Sequence, residues 1–303
     1  MRGYMKNKIL FTLVIILSFG ALKSSFDQKD KTIFFNDLEV NVLNELQEIE
    51  NINLEEYVIG VVAAEMPASF HEEALKAQAV AARTYALYKI KNSKEKYDLV
   101  TDVSDQAYIN KDKMREKWFN EYEYYYNKIK QAVQQTKGEV IKYNNEIICS
   151  FYFSMSNGYT EESSLVFGEH QDYLKTVDSP WDKEVHNFEV TVNLEKADFC
   201  QKLNIECNKI DIQAINRSHT NRVNEIKINN KKFKGTEFRQ ILGLRSTDFD
   251  IKIDEKVIIS TKGYGHGVGM SQYGANKMAQ EGKTYHEILK YYYQNINIEK
   301  YNV

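Results

Sequence analysis

The stretch from Asn53 to Ile90 constrains the fold most, because it reads as two helices that Pro67 forces apart. Asn53 is placed to cap the first helix, with Glu56 three residues on in a variant of the capping box. Leu54, Tyr57, Val58, Val61 and Val62 follow at helical spacing and define one buried stripe. Eleven positions at about 100° each bring the stripe back to within about 20° of Leu54 at Glu65, so this carboxylate points where the core points. Pro67 then leaves Glu65 in the last turn, among unpaired carbonyls. Burial and the helix C-terminus both raise a carboxyl pKa, and a carboxylic acid still protonated near neutrality can act as a proton donor.

Ser69 and Glu72 form a regular capping box for the second helix, which runs to about Lys91. Its alanines at 74, 77, 79, 81, 82 and 86 let another backbone approach closely, and Arg83 lies among them. A guanidinium on such a face needs a partner, and Glu65 could be that partner. A structural Glu65–Arg83 ion pair would lower the Glu65 pKa, whereas a catalytic carboxyl would have it raised, so the two readings predict opposite shifts.

With 303 residues the chain has ample core for one large or two modest domains. A net charge of −3 gives no electrostatic case for nucleic acid. Arg2, Lys6 and Lys8 precede the apolar run Ile9 to Leu22, a pattern that directs a chain through a membrane. The run's length suits a signal peptide better than a full span, yet a clear cleavage box is lacking, so residues 1–26 read as an export signal, cleaved or kept as an anchor, with a short tether, and residues 27–303 as the exported domain. Of the three cysteines, Cys149, Cys200 and Cys207, the last two could pair but need not. No set of about four closely spaced ligands suggests a metal, and no cofactor is expected.

From Ile33 to Leu43 alternating hydrophobicity suggests strands, and Met114, Trp118, Tyr122, Tyr125, Tyr126, Ile129, Ala132 and Val133 keep helical spacing up to Gly138. The aromatics of that helix read as packing groups rather than a sugar platform. Glu139 to Phe153 reads as a hairpin turning at Asn144 and Asn145, and Arg222 to Phe233 as another around Asn229 and Asn230. Strand, helix and strand follow between His186 and Ala214, Thr236 caps a short helix, and Thr284 with Glu287 caps the last. The expected fold class is α+β, a single mixed helix and sheet domain.

Three further segments carry polar side chains in compact groups. SMSNGYTE holds Ser156, Asn157 and Thr160, YLKTVDSPWD holds Tyr173, Lys175 and Asp182, and GYGHGVGMSQYGA holds His266 and Gln272. Taken alone, the first is an ordinary Asn-Gly turn and a lone His266 a structural hydrogen-bonder. In the third, glycines at 263, 265, 267 and 269 alternate with larger residues, so the backbone is bare on one side and open to a ligand.

These segments, with AAEMPASFHEEALKAQAVAARTYAL around Glu65 and Arg83, resemble the SpoIID/LytB family from about residue 53 to 293. The resemblance implies a membrane-anchored lytic transglycosylase acting on peptidoglycan during the engulfment step of sporulation. It makes Glu65 the catalytic acid/base, with Arg83, Ser156, Asn157, Thr160, Tyr173, Lys175, Asp182, His266 and Gln272 as groove or support residues. It also implies glycan strands stripped of stem peptides as substrate, partnership with stage II sporulation proteins P and M, and a place in the mother-cell membrane facing the intermembrane space. Some relatives carry a Cys/His metal cluster near residues 153 to 175, but Phe153 and a lone His170 stand there in this chain. Two rival readings are a non-catalytic amidase enhancer that only holds glycan, and a hydrolytic muramidase that uses Asp182 as the second carboxylate.

Overall fold

Asn53 does cap the first helix: its side-chain oxygen accepts from the Glu55 and Glu56 amides at 3.1 and 3.4 Å. The computed structural model describes residues 38–102 and 104–301. The expected anchor and residues 33–37 of the expected strand lie outside them. The remainder of that strand is β1 (Glu39–Leu43), paired with β2 (Ile49–Asn53), which leads directly into α1 (Leu54–Glu65).

The stripe residues of α1 are all fully buried, but so are Ala63 and nearly Ile59, so the helix is enclosed on most sides rather than along one face. Gly60 permits this, because a Cβ there would lie 2.2 Å from the Tyr108 ring. Met66 turns to an extended conformation, φ −121° and ψ 139°, as a residue before proline is pushed to do. The expected cap of the second helix is corrected by two residues. α2 (Glu72–Asn92) begins after His71, whose Nδ1 accepts from the Glu73 amide, while the His71 amide is fixed by Asn276 Oδ1 at 2.8 Å. The alanine-rich face of α2 packs against α1, α4 (Tyr122–Gln135), β4 (Glu139–Tyr143), α8 (Gln272–Gln280) and α9 (Tyr285–Tyr292).

The aromatic helix is broken. α3 (Lys111–Trp118) ends at Phe119, whose φ of 45° starts a 3-10 turn before α4. Met114, Ile129, Ala132 and Val133 face the core, while Tyr122, Tyr125 and Tyr126 are half-buried and stack on Trp118 and one another at the surface. The 139–153 hairpin is shorter than its sequence suggests. β4 pairs with β5 (Glu146–Ile147) across Asn144 and Asn145, both at positive φ, and with β14 (Asn297–Lys300). β6 (Tyr152–Phe153) leaves this sheet and runs parallel to β13 (Met270–Ser271).

The later part of the chain builds a second core. β7 (Glu189–Leu194) pairs with β12 (Val257–Lys262), which pairs with β11 (Phe249–Ile253). β8 (Ile212–Arg217), β9 (Val223–Ile228) and β10 (Lys231–Lys234) form a second antiparallel sheet. α6 (Lys196–Leu203) and α7 (Gly235–Leu242) bring Phe199 and Phe238 against Phe233 and Phe249. Thr236 is not the cap of α7, since Lys234 holds that position without a side-chain bond. Cys200 and Cys207 are disulfide-bonded on the edge of this core. Every strand pair in these sheets is antiparallel except β1 with β3 (Leu99–Val100) and β6 with β13, so the architecture is the mixed helix and sheet class expected.

Candidate active site

Glu65 ends α1 partly buried, and two neutral donors meet its carboxyl group. The Ala107 amide donates to Oε1 at 2.8 Å, and the Gln272 side chain supplies a second hydrogen bond. The ammonium of Lys117, held 2.8 Å from the Ala63 carbonyl at the same helix end, adds an attractive charge. Burial outweighs all three, so the Glu65 pKa is raised from its ordinary value of 4.5. Glu65 also helps to push the hydroxyls of Tyr152 and Tyr57 further above their ordinary range, after burial itself. Gln106 ties those two phenols together, donating to Tyr152 Oη at 2.9 Å and accepting from Tyr57 Oη at 3.3 Å. The arrangement supports two protonation states: desolvation favours the acid, and the Ala107 and Gln272 donors stabilise the anion once the proton has left.

Arg83 is not the partner of Glu65. Its Nε and Nη2 each donate to Glu55 at 2.7 Å, and its remaining donors meet the Ala79, Val133 and Glu139 carbonyls. Those five bonds use the whole guanidinium, which is fully buried. Glu55 sits in the first turn of α1 and Glu65 in its last, about 15 Å apart at 1.5 Å per residue, so Arg83 anchors the opposite end of the helix.

Other sequence candidates divide among three internal networks. Asp182, in a 3-10 turn (Pro180–Glu184), is fully buried and accepts from the Ser156 amide and the Ser271 hydroxyl, both at 2.7 Å. Ser156 Oγ donates to the Ser179 carbonyl. This knot adjoins the Glu65 site, since Ser271 binds Asp182 while its neighbour Gln272 reaches Glu65 and Gln78. Asn157 donates to Asp248 and the Thr220 carbonyl, and Thr160 spans Lys175 and Val177 backbone atoms. Tyr173 is a core residue whose hydroxyl accepts from the Cys149 amide, and the Lys175 side chain is exposed.

His266 stands on the other side of β6. Tyr152 points toward Gln106 and Glu65, whereas Phe153, the next residue, packs on His266, as alternation along a strand requires. The His266 ring accepts at Nδ1 from the Val268 amide and bonds the Tyr152 carbonyl. Burial, helped by the Arg239 charge, pushes its pKa down to about 3, so the ring is neutral. The glycines of this loop open onto the chain itself rather than onto a ligand: a Cβ at Gly269 would meet the Phe151 carbonyl oxygen at 2.0 Å.

Gln106, Ala107, Lys117 and Tyr152 are site neighbours that sequence reasoning did not single out. Two of the contacts are backbone or carry no local signature, and Lys117 was hidden within an aromatic helix whose register drew attention to its apolar side. Among the described residues no three His, Cys, Asp or Glu side chains converge on a point that could hold a metal ion. No described helix is long and apolar enough to cross a membrane.

Residues 43–143 match the family described as SpoIID, stage II sporulation protein. The chain is 45% identical over 262 residues to stage II sporulation protein D of Bacillus subtilis (strain 168), covering 84% of this chain and 76% of that protein. The same protein of Bacillus amyloliquefaciens is 45% identical over 260 residues, 83% of this chain and 76% of the relative. A Bacillus subtilis protein named amidase enhancer is 31% identical over 299 residues, which is 80% of this chain but 40% of that protein. With identity of this level sustained over most of both sequences, the chain belongs to the stage II sporulation protein D family.

Proposed function

We propose that the chain is a lytic transglycosylase of sporulation cell-wall processing, cleaving the β-1,4 bond between N-acetylmuramic acid and N-acetylglucosamine in glycan strands stripped of stem peptides. The observation that carries this reading is the raised pKa of Glu65 at a partly open helix end, with donors ready for its conjugate base. Glu65 protonates the bridging oxygen as its bond to C1 of the muramic acid breaks. The resulting carboxylate then takes the proton of the same sugar's 6-hydroxyl, whose oxygen bonds to C1. The products are a 1,6-anhydro end and a free 4-hydroxyl, and no water is consumed.

One accessible carboxylate suffices for this route, whereas hydrolysis conventionally needs two. Asp182, the rival second carboxylate, is fully buried and its Oδ2 is taken by Ser156 and Ser271. Asp105, which shares Tyr57 with Glu65 as a neighbour, is held by Lys89, Tyr85 and the Val100 amide. Arg83, Ser156, Asn157, Thr160, Tyr173 and Asp182 serve this reading by holding the frame, Gln272 by direct contact with Glu65. We further propose an extracytoplasmic, membrane-anchored location facing the intermembrane space of the engulfing cell, and stage II sporulation proteins P and M as partners. Mass spectrometry of digested denuded glycan tests the reaction. Anhydro ends that vanish in Glu65→Gln support it, reducing ends indicate hydrolysis, and glycan binding without cleavage favours an amidase enhancer.

A further inference from the structure

Two adjoining cavities of about 480 and 520 Å³ lie on the His266 side of β6, and Val166 and Phe167 of α5 (Ser163–Phe167) line both. Glu65 lines neither. Four cations face this cleft, Arg222 and Lys234 from the first cavity, Arg239 and Arg245 from the second. None of them forms an ion pair with a carboxylate among the described residues. The second cavity is lined by no acidic residue at all. The first has two, and both are engaged: Glu161 accepts from the Ser218 and Thr220 hydroxyls, and Glu225 pairs with Lys232 at 2.9 Å.

The arginines are also incompletely bonded. Arg239 donates from Nε to the Leu244 carbonyl, and Arg245 donates to the Asn187 carbonyl and, at 4.0 Å, to the Met155 sulfur, which leaves donors of each planar fork unused. Arg222 is only 3% exposed and donates to the Thr220 hydroxyl and the Tyr159 carbonyl within reach of the Glu161 and Asp248 charges, but its buried Nε has no acceptor, and the buried Nε of Arg245 has none either. Buried cationic donors without acceptors are costly, and an anion in the cleft would satisfy them. Two aromatic rings stand at the rim. Phe167 is 45% exposed with one face on Phe151, and Tyr264 is 46% exposed with one face under the Arg245 guanidinium. Forked guanidinium donors match the planar carboxylate, and exposed aromatic faces match the apolar faces of a sugar ring.

We propose that this cleft is a second glycan site that binds a carboxylate-bearing sugar, the free lactyl carboxylate of N-acetylmuramic acid lying against Arg239 and Arg245 with the ring against Phe167 or Tyr264. The choice of muramic acid among carboxylate sugars rests on the peptidoglycan reading above; the carboxylate chemistry does not. In a strand stripped of stem peptide this carboxylate is ionised, and in a substituted strand it is an amide. The cleft therefore selects stripped strands at a place separate from the bond being cleaved.

The test is calorimetry on the solubilised full chain carrying Glu65→Gln, titrated with soluble muramic acid–glucosamine disaccharide, its lactyl methyl ester, a chitin tetramer, a muramyl peptide and inorganic phosphate. The free acid is expected to bind at least tenfold more tightly than the ester or the chitin oligomer. Arg239→Gln with Arg245→Gln should bring its affinity down to that of the ester. Arg245→Gln alone, at a half-buried position, carries the same comparison where the double variant fails to fold, because the acid-over-ester preference belongs to the cleft only if it falls with a cleft arginine while the Glu65 groove is unchanged. Equal binding of acid and ester, tighter binding of the muramyl peptide, or equal binding of phosphate would each overturn the proposal. Cleavage by Glu65→Gln at the unsubstituted rate would sink the transglycosylase reading and leave the carboxylate preference untouched.

Discussion

The Glu65 carboxylate is less stable where it is than it would be in water, and that cost is what the proposed acid role draws on. Its pKa in the fold is raised above the ordinary 4.5, chiefly by burial, so the folded protein holds the proton more tightly than the unfolded chain. The contribution is favourable below the unfolded value and is lost as pH rises through the folded value. Glu65→Gln removes the charge but keeps the size, so its melting temperature should match or exceed the parent at pH 7, the gap closing as pH falls below the ordinary carboxylate range. Anhydro product should meanwhile fall on the order of a hundredfold or more, the usual worth of a general acid. A variant that lost both stability and activity would mark Glu65 as structural. The cleavage rate of the parent should decline as pH rises above the Glu65 pKa, and a pH-rate profile of the released anhydro ends reads this directly. Arg83 behaves in the opposite way. Arg83→Ala leaves the largely buried Glu55 carboxylate without its partner and is expected to cost about 3 kcal/mol, measured by urea unfolding. Replacing Glu55 and Arg83 together by apolar residues should recover much of that loss, which no direct role in substrate binding would predict.

The helix around Glu65 was legible because its signals are local. Asn53, the apolar stripe, Pro67 and the Thr284–Glu287 capping box act within a few residues of themselves, and each is found in place. Asn53→Ala should accordingly cost about 1 kcal/mol of stability. Where a choice depended on distant residues, sequence was silent. Ser69 and His71 are both competent caps, and Asn276, 205 positions away, decides for His71. Phe119 carries no turn signature, yet it breaks the aromatic helix at positive φ. Ser156, Asn157 and Thr160 look like site residues by type, but acceptors up to 91 positions away consume them. The glycine loop was read for its freedom but not for its target. Its close approach is to Phe151, so Gly269→Ala should add about 1–3 kcal/mol of backbone strain at φ 78° and separate β13 from β6. Loss of amide protection at Tyr152 to Phe153 and Met270 to Ser271 in hydrogen exchange would register it.

The cysteines give a test that spans the molecule, because they lie in different parts of it. Cys200 and Cys207 are bonded beside the second core, and Cys149 is a buried thiol under the β4 hairpin, pushed up to about 12 by burial. A buried thiol at that pKa is almost wholly protonated at neutral pH and out of reach of reagents. Native protein should therefore titrate with no thiol, denatured protein with one, and denatured and reduced protein with three. The ring closed by the bond is short, a sequence separation of 7, so chain-entropy reasoning assigns it roughly 2–3 kcal/mol. Such a bond persists in an oxidising compartment, which agrees with the extracytoplasmic location proposed above. Reduction should lower the melting temperature through the core of Phe199, Phe233 and Phe238, while Glu65 and its partners, carried by α1, Ala107 and Gln272, remain assembled. At a temperature where the reduced protein is still folded, anhydro product should form at nearly the oxidised rate. A native thiol count of one would show that Cys149 is open to solvent, and cleavage abolished by mild reductant before any unfolding would show that the second core and the Glu65 site are coupled more closely than their separate packing implies.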